Sequence, residues 1–132
     1  MNEVLMLVGL LVGVAIIWVF IKNSEKLNKL RIDPLEAKRR LVKDKGIILL
    51  DVRTEEEHIE NHIPGSILIP LKVLRQEAAK TLPDKQATII FYCKSGNRSR
   101  AAVRMLLKQG YTNVYDMGGI QGWPYKTISG KK

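Results

Sequence analysis

Residues 87–102 read ATIIFYCKSGNRSRAA, and their reading decides the fold. Thr88 to Tyr92 is a short, unbroken apolar and β-branched run. That is the pattern of a parallel strand buried on both faces, not of a half-exposed one. A small polar loop containing Gly96 follows, and the spacing then predicts a helix from Ser99 to Gln109. Ala102, Val103, Leu106 and Leu107 form one face of it, while Arg100, Arg104 and Lys108 line another at i, i+4. Gly110 ends the helix, as glycines at C′ do.

The same alternation continues outward. Upstream, Asp33-Pro34 with Glu36 predicts a helix start, and Leu35, Lys38, Leu41 and Val42 give an amphipathic helix with Gly46 as its C-cap. Ile47 to Val52 reads as a buried strand. Thr54 with Glu57 matches a capping box for a brief helix to about Glu60. Ile63-Pro64-Gly65 is a turn, Ser66 to Ile69 a strand, Leu71 to Lys80 a helix and Pro83-Asp84 a turn. Downstream, Val114 to Met117 is the last strand, and Gly118-Gly119 opens a final turn toward Trp123-Pro124. Strands alternating with helices predict an α/β domain, a parallel sheet flanked by helices on both faces.

That domain does not use the whole chain. Of 132 residues, Val4 to Ile21 are 18 consecutive positions without charge or proline. As a helix the run spans about 27 Å, close to the ~30 Å hydrocarbon core of a bilayer. The n-region Met1-Asn2-Glu3 has an acid and no base, and no small-residue cleavage pattern follows Phe20, so a retained anchor fits better than a cleaved signal. The expected division is a short tail (1–3), a transmembrane anchor (4–21), a polar juxtamembrane linker (22–31), the α/β domain (32–126) and a basic C-terminal tail (127–132).

Lys22, Lys26, Lys29 and Arg31 flank one end of the anchor and Glu3 the other. The positive-inside rule then puts the N-terminus outside and the domain in the cytoplasm of a single-pass protein of the cell membrane. One cysteine, with no internal disulfide open to it, suits a reducing compartment. The net charge of +9 is concentrated in residues 22–45, where nine basic residues face four acids. Beside a membrane such a cluster favours anionic lipid headgroups. Without aromatic interleaving or a recognition motif, it reads as a solvated linker and helix face and gives no support to nucleic-acid binding. Gly9 and Gly13 have the G-x-x-x-G spacing of paired membrane helices, so a homodimer through them is a subsidiary expectation.

Cys93 ends the strongest strand, and in open parallel sheets ligands bind beyond the carboxyl ends of the strands. Lys94, Ser95, Gly96, Asn97, Arg98 and Ser99 join it to the helix. Gly96 tolerates positive φ, so a loop this short can turn its amides inward with the helix dipole behind them. A thiolate, a persulfide anion or an oxyanion would be stabilised there. Lys94, Arg98 and Arg100 add positive potential for an anionic substrate. Free cysteines are also among the most buried residues. Local chemistry therefore leaves two readings open, a packed thiol and a nucleophile, and favours the second.

Three motifs, in order and spacing, resemble the single-domain rhodaneses, a family of sulfurtransferases. The first is Asp51-Val52-Arg53-Thr54 with Glu57 and Asn61-His62-Ile63-Pro64-Gly65-Ser66-Ile67. The second is Tyr92-Cys93-Lys94-Ser95-Gly96-Asn97-Arg98-Ser99. The third is Gly110-Tyr111 through Val114-Tyr115, then Gly118-Gly119-Ile120-Gln121-Gly122-Trp123. The resemblance covers about Arg31 to Trp123. It implies a rhodanese-like fold in which Cys93 takes sulfane sulfur from a small anionic donor such as thiosulfate. The resulting persulfide, held by the amides of residues 94–99, passes sulfur to cyanide, a thiol or a protein. It also implies that Asp51 and Arg53 are structural supports, that Trp123 packs under the site, and that no cofactor is needed.

Other readings fall on spacing. Cysteine phosphatases place an arginine at Cys-x5-Arg, where it clamps phosphate bidentately; here Arg98 stands at Cys-x4-Arg and Ser99 takes the phosphatase position. Mercaptopyruvate-type relatives carry less basic loops. His58 and His62 flank Glu60 in H-x-E-x-H, which matches neither metalloprotease pattern, so no metal site is expected. Glu55, Glu56 and Glu57 read as first-turn helix acids. The alternative to an enzyme is a membrane-anchored module of the same fold that docks partners with little turnover.

Overall fold

The computed structural model describes residues 2–131. Helix α1 (Asn2–Lys29) is followed by α2 (Pro34–Lys43), β1 (Ile48–Asp51), α3 (Glu55–Glu60), β2 (Ile67–Leu68) and α4 (Leu71–Thr81). Then come β3 (Ile89–Cys93), α5 (Asn97–Lys108), β4 (Val114–Gly119) and a 3₁₀ turn at Ile120–Gly122. The four strands form one sheet in the order β2-β1-β3-β4, every pair parallel. This is the expected architecture, with β3 at the centre and all five of its residues buried.

Side chains of β3 alternate between two cores, as the two-residue period of a strand requires. Ile89, Phe91 and Cys93 face one core with Leu74 and Ala78 of α4 and Ala102, Val103 and Leu106 of α5. Ile90 and Tyr92 face the other with Ala37 of α2, Ile63, Met117, Ile120 and Trp123. Burying each large apolar side chain contributes about 1.5–3 kcal/mol.

Several boundaries differ from expectation. The stretch 22–31 is not a linker: α1 runs on unbroken to Lys29. The sequence there holds no glycine or proline to stop it, and Leu27 and Leu30 gain by packing on the α4/α5 core. Beyond α1, Ile32 N–H donates to Asp116 O at 2.9 Å and Asp116 N–H to Leu30 O at 2.8 Å, so residues 30–32 cover the open edge of β4. Gly46 is not a C-cap; α2 stops at Lys43 with Asp44 as cap, and Gly46 N–H donates to the Asp44 carboxylate. The turn expected at Pro83-Asp84 falls at Lys85-Gln86.

The stretch from 127 is no loose tail either. Ile128 exchanges two backbone hydrogen bonds with His62, and Gly130 N–H donates to Ile59 O, so the domain extends to Gly130. Met1 and Lys132, the outermost residues of the two expected tails, lie outside the described residues.

No residue of α1 is buried. Its large apolar side chains from Val4 to Ile21 are 49–74 % exposed, a Cβ added at Gly9 or Gly13 would meet nothing within 4 Å beyond the helix's own backbone, and the helix is long and apolar enough to cross a membrane.

Candidate active site

β3 ends on Cys93, and three residues later Gly96 serves as the N-cap of α5 with φ +102°. A side chain there would be strained, which is why glycine holds the position. The helix therefore begins at Asn97, two residues before the periodicity indicates. The turn brings the Gly96 N–H to 2.9 Å from Cys93 Sγ, and the thiol donates to Ser99 Oγ at 3.4 Å. Ser99 Oγ in turn donates to Gly96 O at 3.1 Å. The sulfur thus sits at the N-terminus of a 12-residue helix, beside an amide donor and a hydroxyl that can rotate to donate. Both direct partial positive charge at the sulfur.

Cys93 is at the same time fully buried in the α4/α5 core. The packed-thiol and anion-cradle readings describe one atom.

The loop is held from below by β4. Pairing with β3 slips at Met117, so that Phe91 faces Asp116 but Tyr92 faces Gly118 and Cys93 faces Gly119. This bulge sets Gly119 against the loop so closely that an added Cβ would run into the Lys94 carbonyl. Lys94, Ser95 and Asn97 are exposed.

Arg98 is not an unengaged cation. Its Nη1 and Nη2 donate to the two carboxylate oxygens of Glu57 at 2.7 and 2.9 Å. Those hydrogen bonds hold the Glu57 carboxyl down at about 2, against some opposition from burial. The same pairing, with smaller contributions from Cys93 and Asp51, raises Arg98. Glu57 also closes the capping box of α3, with Thr54 and Glu57 each accepting from the other's backbone N–H.

Asp51 and Arg53 stand behind the loop, where Asp51 pairs with Tyr92 across the strands. Asp51 accepts from Arg53 N, Nε and Nη2 and from His58 Nδ1 at 2.8 Å. Arg53 Nη2 also donates to Asn61 O at 2.6 Å. Burial pulls the Arg53 guanidinium down, but Asp51 more than reverses this, and the net shift is upward. His62 donates to His58 O and its ring stacks on His58 at 3.8 Å, so both histidines belong to this network. Tyr92 is pushed up to about 12 by burial, with Asp51 adding; its hydroxyl accepts from Ile63 N–H and bonds Ser66.

The resemblance implies Trp123 under the site, whereas in the structure it lies across the sheet from Cys93, in the core of Tyr92 and Ala37. The cause is the 3₁₀ turn after β4, which carries the chain to the α2 face. Sequence reading also missed the reach of Glu57, which meets Arg98 across 41 residues. It missed the packing role of Gly119 as well; the Gly-Gly pair was the available signal for that.

Residues 33–125 match the family described as Rhodanese-like domain. The chain is 36 % identical over 81 residues to thiosulfate sulfurtransferase PspE of Escherichia coli K12, covering 61 % of this chain and 78 % of that protein. It is 32 % identical over 84 residues to thiosulfate sulfurtransferase GlpE of Coxiella burnetii, covering 63 % and 77 %. Among solved structures, a rhodanese with anions from E. coli superposes with a TM-score of 0.60 at 34 % identity, over 64 % of this chain and 99 % of that one.

Proposed function

The chain belongs to the rhodanese-like domain family, and from that membership we propose that it is a membrane-tethered sulfurtransferase with Cys93 as its sulfur carrier. The observation that carries the proposal is the 2.9 Å approach of the Gly96 amide to Cys93 Sγ at the start of α5. It supplies a donor for sulfur carrying negative charge.

In the first half-reaction the Cys93 thiolate attacks the outer sulfur of a thiosulfate-like donor. The donor's S–S bond breaks, sulfite leaves with the electron pair, and a cysteine persulfide forms. In the second, cyanide or a thiolate attacks the terminal sulfur; the persulfide S–S bond breaks and its electrons return to Cys93. No net oxidant is needed. The persulfide would be held by the amides of Lys94 to Ser99. Lys94 would attract the anionic donor, and Arg98, already paired to Glu57, would shape the loop more than it binds. Asp51 and Arg53 act as supports of the strand end. With a single cysteine in the chain, no internal thiol resolves the persulfide, so the acceptor is external.

Because Cys93 is buried, reaction with a donor requires the sulfur to be uncovered. That burial favours the one alternative worth keeping, a docking module with little turnover. Full-length protein in detergent, incubated with thiosulfate, is expected to gain the mass of one sulfur atom and to release thiocyanate on adding cyanide. Cys93→Ser is expected to do neither. Wild-type protein that gains no sulfur would leave the docking reading.

The exposed apolar surface of α1 supports a membrane anchor, and Lys22 to Arg31 support a cytoplasmic domain in the cell membrane. Pairing of two anchors through Gly9 and Gly13 is a subsidiary proposal; Gly13→Ile is expected to abolish a dimer in membranes.

A further inference from the structure

The face of α1 formed by Phe20, Asn23, Ser24 and Leu27 meets the face of α5 formed by Arg100, Arg104, Leu107 and Lys108. Between them lies a groove of about 450 Å³, flanked also by Lys26. We propose that this groove binds the headgroup of an anionic phospholipid in the membrane that α1 crosses. The inference rests on the membrane-anchored reading and is independent of the sulfur-transfer chemistry.

Charge comes first. Lys26, Arg100, Arg104 and Lys108 converge on the groove and no carboxylate lines it. Among the described residues none of the four has an Asp or Glu partner within ion-pair distance. Four like charges around one concavity repel one another and are relieved by a bound anion.

Height comes second. Phe20 and Ile21 end the apolar run and Lys22 follows, so the groove opens where the hydrocarbon stops. From Phe20 to Leu27 the helix rises about 10 Å. The polar layer on each side of a bilayer is about 5–8 Å deep, which sets the cations at headgroup level. The lining also distinguishes a lipid from a free anion. Phe20, at the end of the apolar run, offers an apolar wall for the glycerol and upper acyl chains, and a soluble phosphate has no use for it.

The two walls are built into the domain. The end of α1 is tied to β4 through Leu30 and Asp116, and α5 carries the Cys93 loop at its N-terminus. A lipid seated here fixes the height of that loop above the bilayer.

The test titrates phosphatidylglycerol and phosphatidylcholine against the full chain in detergent, with bound lipid counted by native mass spectrometry. Wild-type protein is expected to retain phosphatidylglycerol in preference. Arg104→Gln combined with Lys108→Gln is expected to lower that preference about fivefold for each charge removed. Lys26→Gln, on the facing helix, should lower it by a similar factor and so guards against an effect on α5 alone. Equal retention of the two lipids, or variants indistinguishable from wild type, overturns the proposal. Displacement of phosphatidylglycerol by inorganic phosphate at matched concentration also overturns it, making the groove a site for soluble anions. Chain that does not partition into phosphatidylcholine vesicles after carbonate washing removes the membrane reading together with this one. Partitioning without lipid preference removes this one alone.

Discussion

The Arg98 guanidinium is clamped end-on to the Glu57 carboxylate, with Nη1 and Nη2 donating to its two oxygens at 2.7 and 2.9 Å. One acid thus locks the start of α5, which carries the thiol, to the start of α3, which it also caps. The pair neutralises the arginine of the Cys93 loop, so in the proposed reaction attraction of an anionic donor would fall to Lys94 and the helix dipole.

Glu57→Gln removes this clamp. Both side chains are a quarter to a third exposed, so after allowance for solvent the loss is about 1 kcal/mol, or roughly 4 °C in Tm. The effect has a defined pH dependence. The folded carboxyl is held at about 2, below its ordinary value of 4.5. Its stabilisation is therefore complete above pH 4.5 and is lost as pH falls toward 2. Thermal melts of wild type and variant are expected to differ by a constant amount above pH 5 and to converge in acid. A gap that widens in acid contradicts the assignment.

Gly96 and Gly119 are required for different reasons, and substitution separates them. Gly96→Ala meets no close atom but keeps a strained positive φ, costing about 1–2 kcal/mol. Gly96→Asn, better tolerated at positive φ, is expected to cost less. Gly119→Ala drives a methyl into the Lys94 carbonyl and is expected to cost about 1–3 kcal/mol, with sulfur transfer falling further because the loop itself must shift. Urea unfolding and thiosulfate–cyanide turnover measure the two effects side by side.

Asp51→Asn leaves Arg53, 3 % exposed, as a buried charge without its counterion. A loss of about 3–5 kcal/mol is expected, read as a shift in the denaturation midpoint at unchanged slope. A loss below 1 kcal/mol would mean that the Asp51–Arg53–His58 network is not the support it resembles.

The packing of Leu27 and Leu30 predicts where a soluble fragment should begin. Residues 22–132 are expected to be more stable than 31–132 by about 1–3 kcal/mol, from the two half-buried leucines retained. Leu27→Ala in the longer fragment should recover part of that difference.

A reporter fused after Lys132 tests orientation directly. It is expected to behave as cytoplasmic, because the basic residues of the anchor flank lie on its side. An outside signal would reverse the topology and remove the case for a reducing surrounding of Cys93.

The succession of elements was legible in the chain because it depends on local patterns. The unbroken Thr88–Tyr92 run, the Thr54/Glu57 box and the glycine after α5 each act within a few residues, and they led to the right parallel architecture. The candidate nucleophile was legible too, since a strand end, a glycine and a helix start lie in one stretch of ten residues. What tertiary structure alone decided are relations across long separations. Glu57 reaches Arg98, Gly119 underpins Lys94, Trp123 turns away to the α2 face, and α1 continues to Lys29 because Leu27 and Leu30 find a core to cover. Local patterns name the partner in none of these, even where the Gly118-Gly119 pair marks the spot, because each is set by which backbone or side chain the folded sheet brings within a few ångströms.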